Sequence, residues 1–374
     1  MSAESKATLS TYVAARCFWK PLGWGPLMKC GGFRIRYRDD ERIFDTHAPI
    51  VALVALLSVL CIVPLWASTY WLDVLNRIGI AIIGALGLNI LRGFTGQISI
   101  GHAAFLAVGA YTTAILEAKA GLPFYLAIPA AALATAVFGL LFGLPSLRLK
   151  GLYLAIATLA AQFITTYAII HWESMTGGVL GLLVPTPTLF GLALDSDSRV
   201  FYVILACVIP ATFFAKNLFR TKVGRAFIAI RDRDVAAAVI GVSLFRYKLL
   251  AFFISSFYAG IAGGLMAHHS RILFPDAFSL LVAIDYLAMI IIGGMGSILG
   301  SIFGAVFMTL FPEVLKLTAT SLSGVYPHSF GLIASGRDVI FGLAIITFLI
   351  FEPEGLARIW LRIRNYWKLW PYSY

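Results

Sequence analysis

The residues whose types and spacing could do chemistry fall into three short stretches. None of them forms a catalytic constellation. The first is GRAFIAIRDRDVAAAVIG at residues 224–241, between Gly224 and Gly241. It sets Arg225, Arg231, Asp232, Arg233 and Asp234 among Phe227, Ile228, Ala229, Ile230, Val235, Ala236, Ala238 and Val239. That alternation predicts one or two short amphipathic helices lying off a membrane. Two uses stay open for it: docking a cytoplasmic partner, or holding a loop against the surface, including anionic lipid.

The second stretch is GLNILRGFTGQISIGHAAFLAVGAY at 87–111, where Gln97, Ser99 and His102 stand among glycines at 93, 96, 101 and 109. A polar, glycine-rich interruption of an apolar run leaves backbone groups in need of partners. It is tolerated where protein or a water-filled path covers them. Gly93 and Gly96 favour a helix break that lines such a path. Gly101, Phe105 and Gly109, spaced by four, favour tight helix packing instead. His102 alone reads as a hydrogen-bonded packing residue before it reads as a ligand. The third stretch, IIGGMGSILGSIFGA at 291–305, echoes this grammar with Gly293, Gly296, Gly300, Gly304 and Ser297. It reads as a weak internal repeat, and repeated halves with a pathway between them are common in transporters.

Polar groups inside the other apolar runs are few. Gln162 and Asp285 are the clearest, with Glu313 near the end of a run. A carboxylate within a span is a functional candidate by default. A single one argues against an ion-coupled carrier, and Asp285 has the alternative of pairing with Tyr286 or sitting nearer the interface. The phosphate-loop pattern GxxxxGK[ST], HExxH and GxSxG are all missing. His268 and His269 stand as an isolated pair. Cys17, Cys30, Cys61 and Cys207 fit neither a zinc site nor a disulfide framework. No metal, cofactor or chemistry of its own is expected for the chain.

The elements that must position these stretches are membrane helices. Of the 374 residues 60% are hydrophobic and 13% charged, with mean hydropathy +0.89, against about 25% charged in soluble proteins. The apolar runs are long and continuous, so they predict helices rather than barrel strands. Ten runs are legible, roughly 49–67, 77–92, 98–117, 123–145, 151–171, 201–216, 248–267, 281–296, 298–316 and 337–352. Several are shorter than the ~20 residues of a straight span. The expected architecture is therefore an all-α polytopic membrane protein of eight to ten helices, some broken or re-entrant. The first run begins near Pro49, too late for a signal peptide.

Ten runs put both termini on one side, and 23 of the 29 Lys and Arg residues then share that side. Arg77, Lys119, Arg199, Arg271, Lys316 and Arg337 fall on the other. That bias places both termini in the cytoplasm. The net charge of +11 is accounted for in the same way and implies no nucleic-acid partner. The expected organisation is a cytoplasmic head, 1–47, ordered at most in part, and a membrane domain, 48–352, with an inner loop at 217–247. An outer loop runs over 172–200. The tail, 353–374, is rich in Trp, Tyr and basic residues and suits an interfacial anchor.

The chain resembles the branched-chain amino-acid ABC permease family, of the LivM type, over about residues 77–355. Four segments carry the resemblance, in the family's order: 87–111; LRLKGLYLAIATLAAQFI at 147–164 with TGGVLGL at 176–182; 224–267; and PDAFSLLVAIDYLAMIIIGGMGSILGSIFGA at 275–305. The resemblance implies a second, related permease as partner, two cytoplasmic ATPase subunits that hydrolyse the ATP, and a periplasmic substrate-binding protein. It implies a multi-pass protein of the bacterial inner membrane with no enzymatic activity of its own. It also makes the 224–241 stretch the segment that docks on the ATPases. Branched-chain or other hydrophobic amino acids are the leading substrate class. Urea, amides and aromatic acids are the alternatives within the family, and an ion-coupled carrier is the alternative outside it.

Overall fold

The long apolar runs close their backbone hydrogen bonds within themselves, as lipid requires, and the result is a helical protein. The computed structural model describes residues 47–145, 149, 151–189, 192–193, 196–323, 339, 342–343, 345–348, 350–352 and 354–369. Most of the expected cytoplasmic head, part of the outer loop, part of the run at 337–352 and the end of the tail lie outside the described residues.

The chain divides into two units, one ending at Trp66 and one starting at Ala67. In the first unit, α1 (His47–Trp66) is apolar apart from His47 and Ser58 and carries Pro64 in its last turn. The second unit begins with α2 (Thr69–Asn89), which runs on as a π turn, Ile90–Phe94. It continues with α3 (His102–Ala118), α4 (Phe124–Gly143), α5 (Leu152–His171) and a single turn, α6 (Glu173–Thr176). Then come α7 (Asp197–Leu218), α8 (Lys222–Asp232), α9 (Asp234–Val239), α10 (Leu244–Ser270), α11 (Leu280–Gly293), α12 (Ile298–Ser323) and α13 (Leu356–Leu369).

Among the described residues seven helices are long and apolar enough to cross a membrane: Thr69–Phe94, Phe124–Gly143, Leu152–His171, Asp197–Leu218, Leu244–Ser270, Pro275–Gly293 and Ile298–Thr318. The all-α multi-pass architecture is therefore present. Boundaries shift where charge misled the apolar reading. The run expected from residue 77 begins at Thr69, because Arg77 pairs with Asp73 one turn earlier at 3.0 Å, an i,i+4 pair that suits a helix. The run expected to reach 296 stops at Gly293, because Gly294 turns the chain with φ +115°.

At the centre of the second unit α10 packs against α2, α3 and α4. Small residues allow it. A Cβ on Gly109 of α3 would lie 2.6 Å from the Cα of Gly260 on α10, and one on Gly260 would lie 2.7 Å from the Cα of Ala132 on α4. Membrane helices gain no hydrophobic drive from one another, so such close approach supplies the packing. Phe105, Leu86, Leu106, Phe252 and Leu265 are fully buried there.

At the end of the bundle away from α8 lie two short strand pairs. Strand β1 (Leu182–Leu183) pairs antiparallel with β4 (Ile272–Leu273), and β2 (Thr188–Leu189) with β3 (Leu192–Ala193). The two histidines there are not isolated, contrary to the sequence reading. His268 Nε2 lies 3.0 Å from Glu117 Oε1 in a buried pair. His269 Nε2 lies 3.0 Å from Asp73 Oδ1, the carboxylate that also holds Arg77.

Candidate coupling site at the helix breaks

The first break forms where α2 widens into its π turn. Gly96 adopts φ +73°, which ends the helix. The carbonyls that lose helical partners are taken up locally: the Thr95 hydroxyl donates to both Ile90 and Leu91 O at 2.8 Å, and Gln97 N donates to Leu91 O at 3.1 Å. The chain then runs extended to Gly101. There Ile100 N donates to the Thr158 hydroxyl of α5 at 3.0 Å, and α3 starts. Gly101 sits against the backbone of Thr158. The stretch is thus both a break and a packing surface, divided as the glycine spacing suggests.

The second break, 294–297, lies directly against the first. Asn89, the last α-helical residue of α2, joins them. Its Nδ2 donates to Ser297 O at 2.8 Å and to Ser301 Oγ at 2.7 Å, and its Oδ1 accepts from Gly296 N at 2.9 Å. Asn89 is buried; its bond to Ser301 is buried with it, and those to Ser297 and Gly296 are part-buried. The signal for it is present in the sequence, since a lone amide inside an apolar run must find partners.

The loop at 217–247 closes on both breaks. Arg231, in the last turn of α8, donates through Nη1 to Gly93 O at 3.1 Å. Its side chain also fills the space beside Gly96 and Gly296. A Cβ on Gly96 would sit 3.2 Å from Arg231 Cγ, and one on Gly296 would sit 2.9 Å from Arg231 Nη1. Asp232 supports the guanidinium at 3.1 Å. A second link runs through Lys248, buried at the start of α10, which lies 3.9 Å from Asp234 of α9. The Lys248 carbonyl accepts from Gln97 Nε2 at 3.5 Å.

Gly93, Gly96, Gln97, Gly296 and Arg231 are therefore neighbours, although the sequence presents them in three stretches. Gly293 packs on Gly300 where α11 meets α12. His102 is fully buried, its Nε2 3.0 Å from Gly84 O and its ring edge-on to Tyr286. Facing a carbonyl, Nε2 carries the proton. Ser99 is buried and its hydroxyl has no partner among the described residues, and the same holds for Gln97 Oε1 and Gln162 Oε1. Gln162 lies away from the breaks, tied through Nε2 to Phe278 O at 2.7 Å, beyond the opposite end of α11 from Gly293. Asp285 is half-buried two turns into α11, on the face that exposes Leu281 and Ile284.

The loop residues split into two sets. Gly224 and Ile230 are buried against the bundle, and Ala229 is half-buried. Arg225, Arg231, Asp232, Ala236 and Gly241 are exposed. So are Val235, Val239 and Ile240, an apolar set that caps α9. Among the described residues no group of three or more His, Cys, Asp or Glu side chains is placed to hold a metal ion.

The arrangement is a surface loop keyed into two adjacent helix breaks. A family model described as "Branched-chain amino acid transport system / permease component" matches residues 70–349. The chain is 34% identical over 340 residues, 84% of its length and 76% of the relative's, to the high-affinity branched-chain amino acid transport system permease protein LivM of Escherichia coli K12. It is 24% identical over 300 residues, 75% of its length and 90% of the relative's, to a probable branched-chain amino acid transport permease protein LivH of Methanocaldococcus jannaschii. It is also 23% identical over 236 residues, 62% of its length and 67% of the relative's, to that organism's probable LivM. No solved structure matches the chain. Seven membrane-length helices among the described residues, two glycine breaks in one place and a family match over three quarters of the chain lead to one conclusion: the protein belongs to the branched-chain amino acid transport permease family.

Proposed function

We propose that this chain is one of two related permeases of an ATP-driven importer in the bacterial inner membrane, and that its cargo is branched-chain amino acids. The relatives' names support the cargo, and the match to both a LivM and a LivH relative supports a second permease of like fold. In this reading ten spans place both termini in the cytoplasm, with residues 1–47 as head and 353–374 as tail. ATP is hydrolysed on two separate subunits, and an extracytoplasmic binding protein delivers the amino acid.

The observation that carries the mechanism is the bond from Arg231 to Gly93. The exposed Val235, Val239 and Ile240 on α9 form the face that docks on an ATPase. The buried Phe227 and Ile230 on α8 hold the loop to the bundle. Movement of the docked loop then reaches the two breaks through Arg231, and α10 through Lys248. Closure of the ATPase pair biases the spans between two packed arrangements, one open to each side. Ser99, His102, Gln162 and Asp285 are the polar groups of this chain proposed to line the path or its walls.

The test is uptake of radiolabelled leucine into proteoliposomes holding this chain with its second permease, ATPases and binding protein. Uptake should require ATP inside and the binding protein outside. Uptake by the permeases alone, abolished by an ionophore, would replace this reading with an ion-coupled carrier.

A further inference from the structure

The C-terminal helix α13 has a role that transport as described does not use. Its sequence, LARIWLRIRNYWKL, holds Arg358, Arg362, Arg364 and Lys368 and no acidic residue. Its start is pinned to the second break. Gly355 (φ +81°) comes so near Gly294 that a Cβ on it would lie 2.5 Å from Gly294 N. A Cβ on Gly294 would in turn meet Glu354 O at 3.1 Å and Ala357 Cβ at 3.3 Å. Along the helix Ala357 is buried, and the Trp360 ring meets Phe303 edge-on at 6.0 Å. Yet Trp360 is 48% exposed, Ile363 46% and Tyr366 59%. Arg358 and Arg362 hold Glu354 and Glu352 in exposed pairs at 2.8 and 3.2 Å.

Neither water nor hydrocarbon suits this helix. Water would leave a large apolar and aromatic stripe uncovered. Hydrocarbon would bury three guanidinium groups. The headgroup layer accepts both, with Trp and Tyr at the boundary and Arg on lipid phosphates. Position agrees: Gly294 ends a span, so a helix that starts against it starts at the membrane surface. An excess of positive charge favours an anionic layer over a neutral one.

We propose that α13 lies on an anionic phospholipid surface and, through Gly355, clamps the Gly294 break, so that headgroup charge controls transport. The control half rests on the importer reading above, whereas the binding half does not. The experiment places the whole complex in nanodiscs of phosphatidylcholine alone or with phosphatidylglycerol. Ile363→Cys, in a chain whose four native cysteines are Ser, carries a nitroxide for depth measurement, and ATPase activity dependent on substrate-loaded binding protein is read in parallel. The expected result is a label at headgroup depth with phosphatidylglycerol and several-fold higher stimulated activity there.

R358Q/R362Q/R364Q should lose that lipid dependence and run at the neutral-lipid level in both discs, with an unchanged melting temperature. I363S/Y366S tests the apolar stripe in the same way. A label open to water in both discs overturns the proposal. So does one shielded from both water and oxygen in both, which would mark a subunit contact. Lipid dependence that survives the triple variant overturns the control half. A wild-type complex that shows no stimulated activity in any disc sinks the importer reading instead, and the depth measurement still decides the binding half.

Discussion

Arg231 donates a hydrogen bond to the carbonyl of Gly93, 138 residues earlier in the chain, at 3.1 Å. The bond joins a helix of the surface loop to the point where the most buried span loses its regular geometry. A charge-assisted bond of this kind contributes about 1.5–3 kcal/mol. That is enough to bias a two-state element without locking it.

Arg231→Ala should therefore uncouple the importer. ATPase subunits should still copurify and hydrolyse ATP, while leucine uptake falls tenfold or more. Arg231→Lys, which keeps charge but loses the planar donor fork, should retain part of the uptake. Equal loss of hydrolysis and uptake, with a lowered melting temperature, would show a purely structural role.

Asn89→Ala removes three hydrogen bonds, one buried and two part-buried, and leaves Gly296 N and Ser301 Oγ to find new partners. Side-chain bonds within membranes average below 1 kcal/mol each, so the expected cost is about 1–3 kcal/mol. The melting temperature of the purified complex reads it. Asn89→Asp keeps the acceptor for Gly296 N but sets a buried carboxylate oxygen against Ser297 O, and should cost more than Asn89→Ala.

Gly296→Ala and Gly121→Ala separate backbone strain from the Arg231 contact. Both glycines have positive φ, +77° and +64°, but a Cβ at Gly121 meets nothing within 4 Å. Strain of about 1–2 kcal/mol applies to both. Only Gly296→Ala should lower uptake, because only there does the methyl displace the Arg231 guanidinium.

Val235→Glu with Val239→Glu should abolish copurification of the ATPases and leave the permease pair intact. Both side chains are exposed, at 67% and 83%, so no internal packing is lost. Retained ATPase binding would move the docking face off α9.

Gly109→Leu should prevent assembly. The new side chain would meet the backbone of Gly260, which has nowhere to move between α3 and α4. The expected readout is loss of folded protein in the membrane fraction, with no partial transport phenotype.

Much of this was legible in the linear chain. The breaks at Gly96 and Gly294–Gly296 announced themselves by glycine density, and the loop at 224–241 by its charges. The face of each helix was not legible. A span that is apolar all round carries no periodic contrast to mark its protein-facing side. Asn89 went unnoticed because its partners lie more than 200 residues away. In the loop, periodicity grouped Ile230 with Val235, yet the chain turns at Arg233 between α8 and α9. Ile230 then faces the bundle and Val235 faces solvent.

The sequence by itself determined that the chain is a multi-pass helical membrane protein, because composition alone leaves lipid as the only solvent for so much apolar surface and helices as the way to satisfy its backbone. It also narrowed the places where regular helix could fail to a few glycine-rich stretches, without separating a break from close packing: Gly79, Gly84 and Gly87 lie within regular helix, whereas Gly96 does not. The tertiary structure alone decided that the two failures touch and that Arg231 reaches both. Such contacts depend on which helices are neighbours, and that is set by packing of small residues across the bundle, which no local pattern encodes.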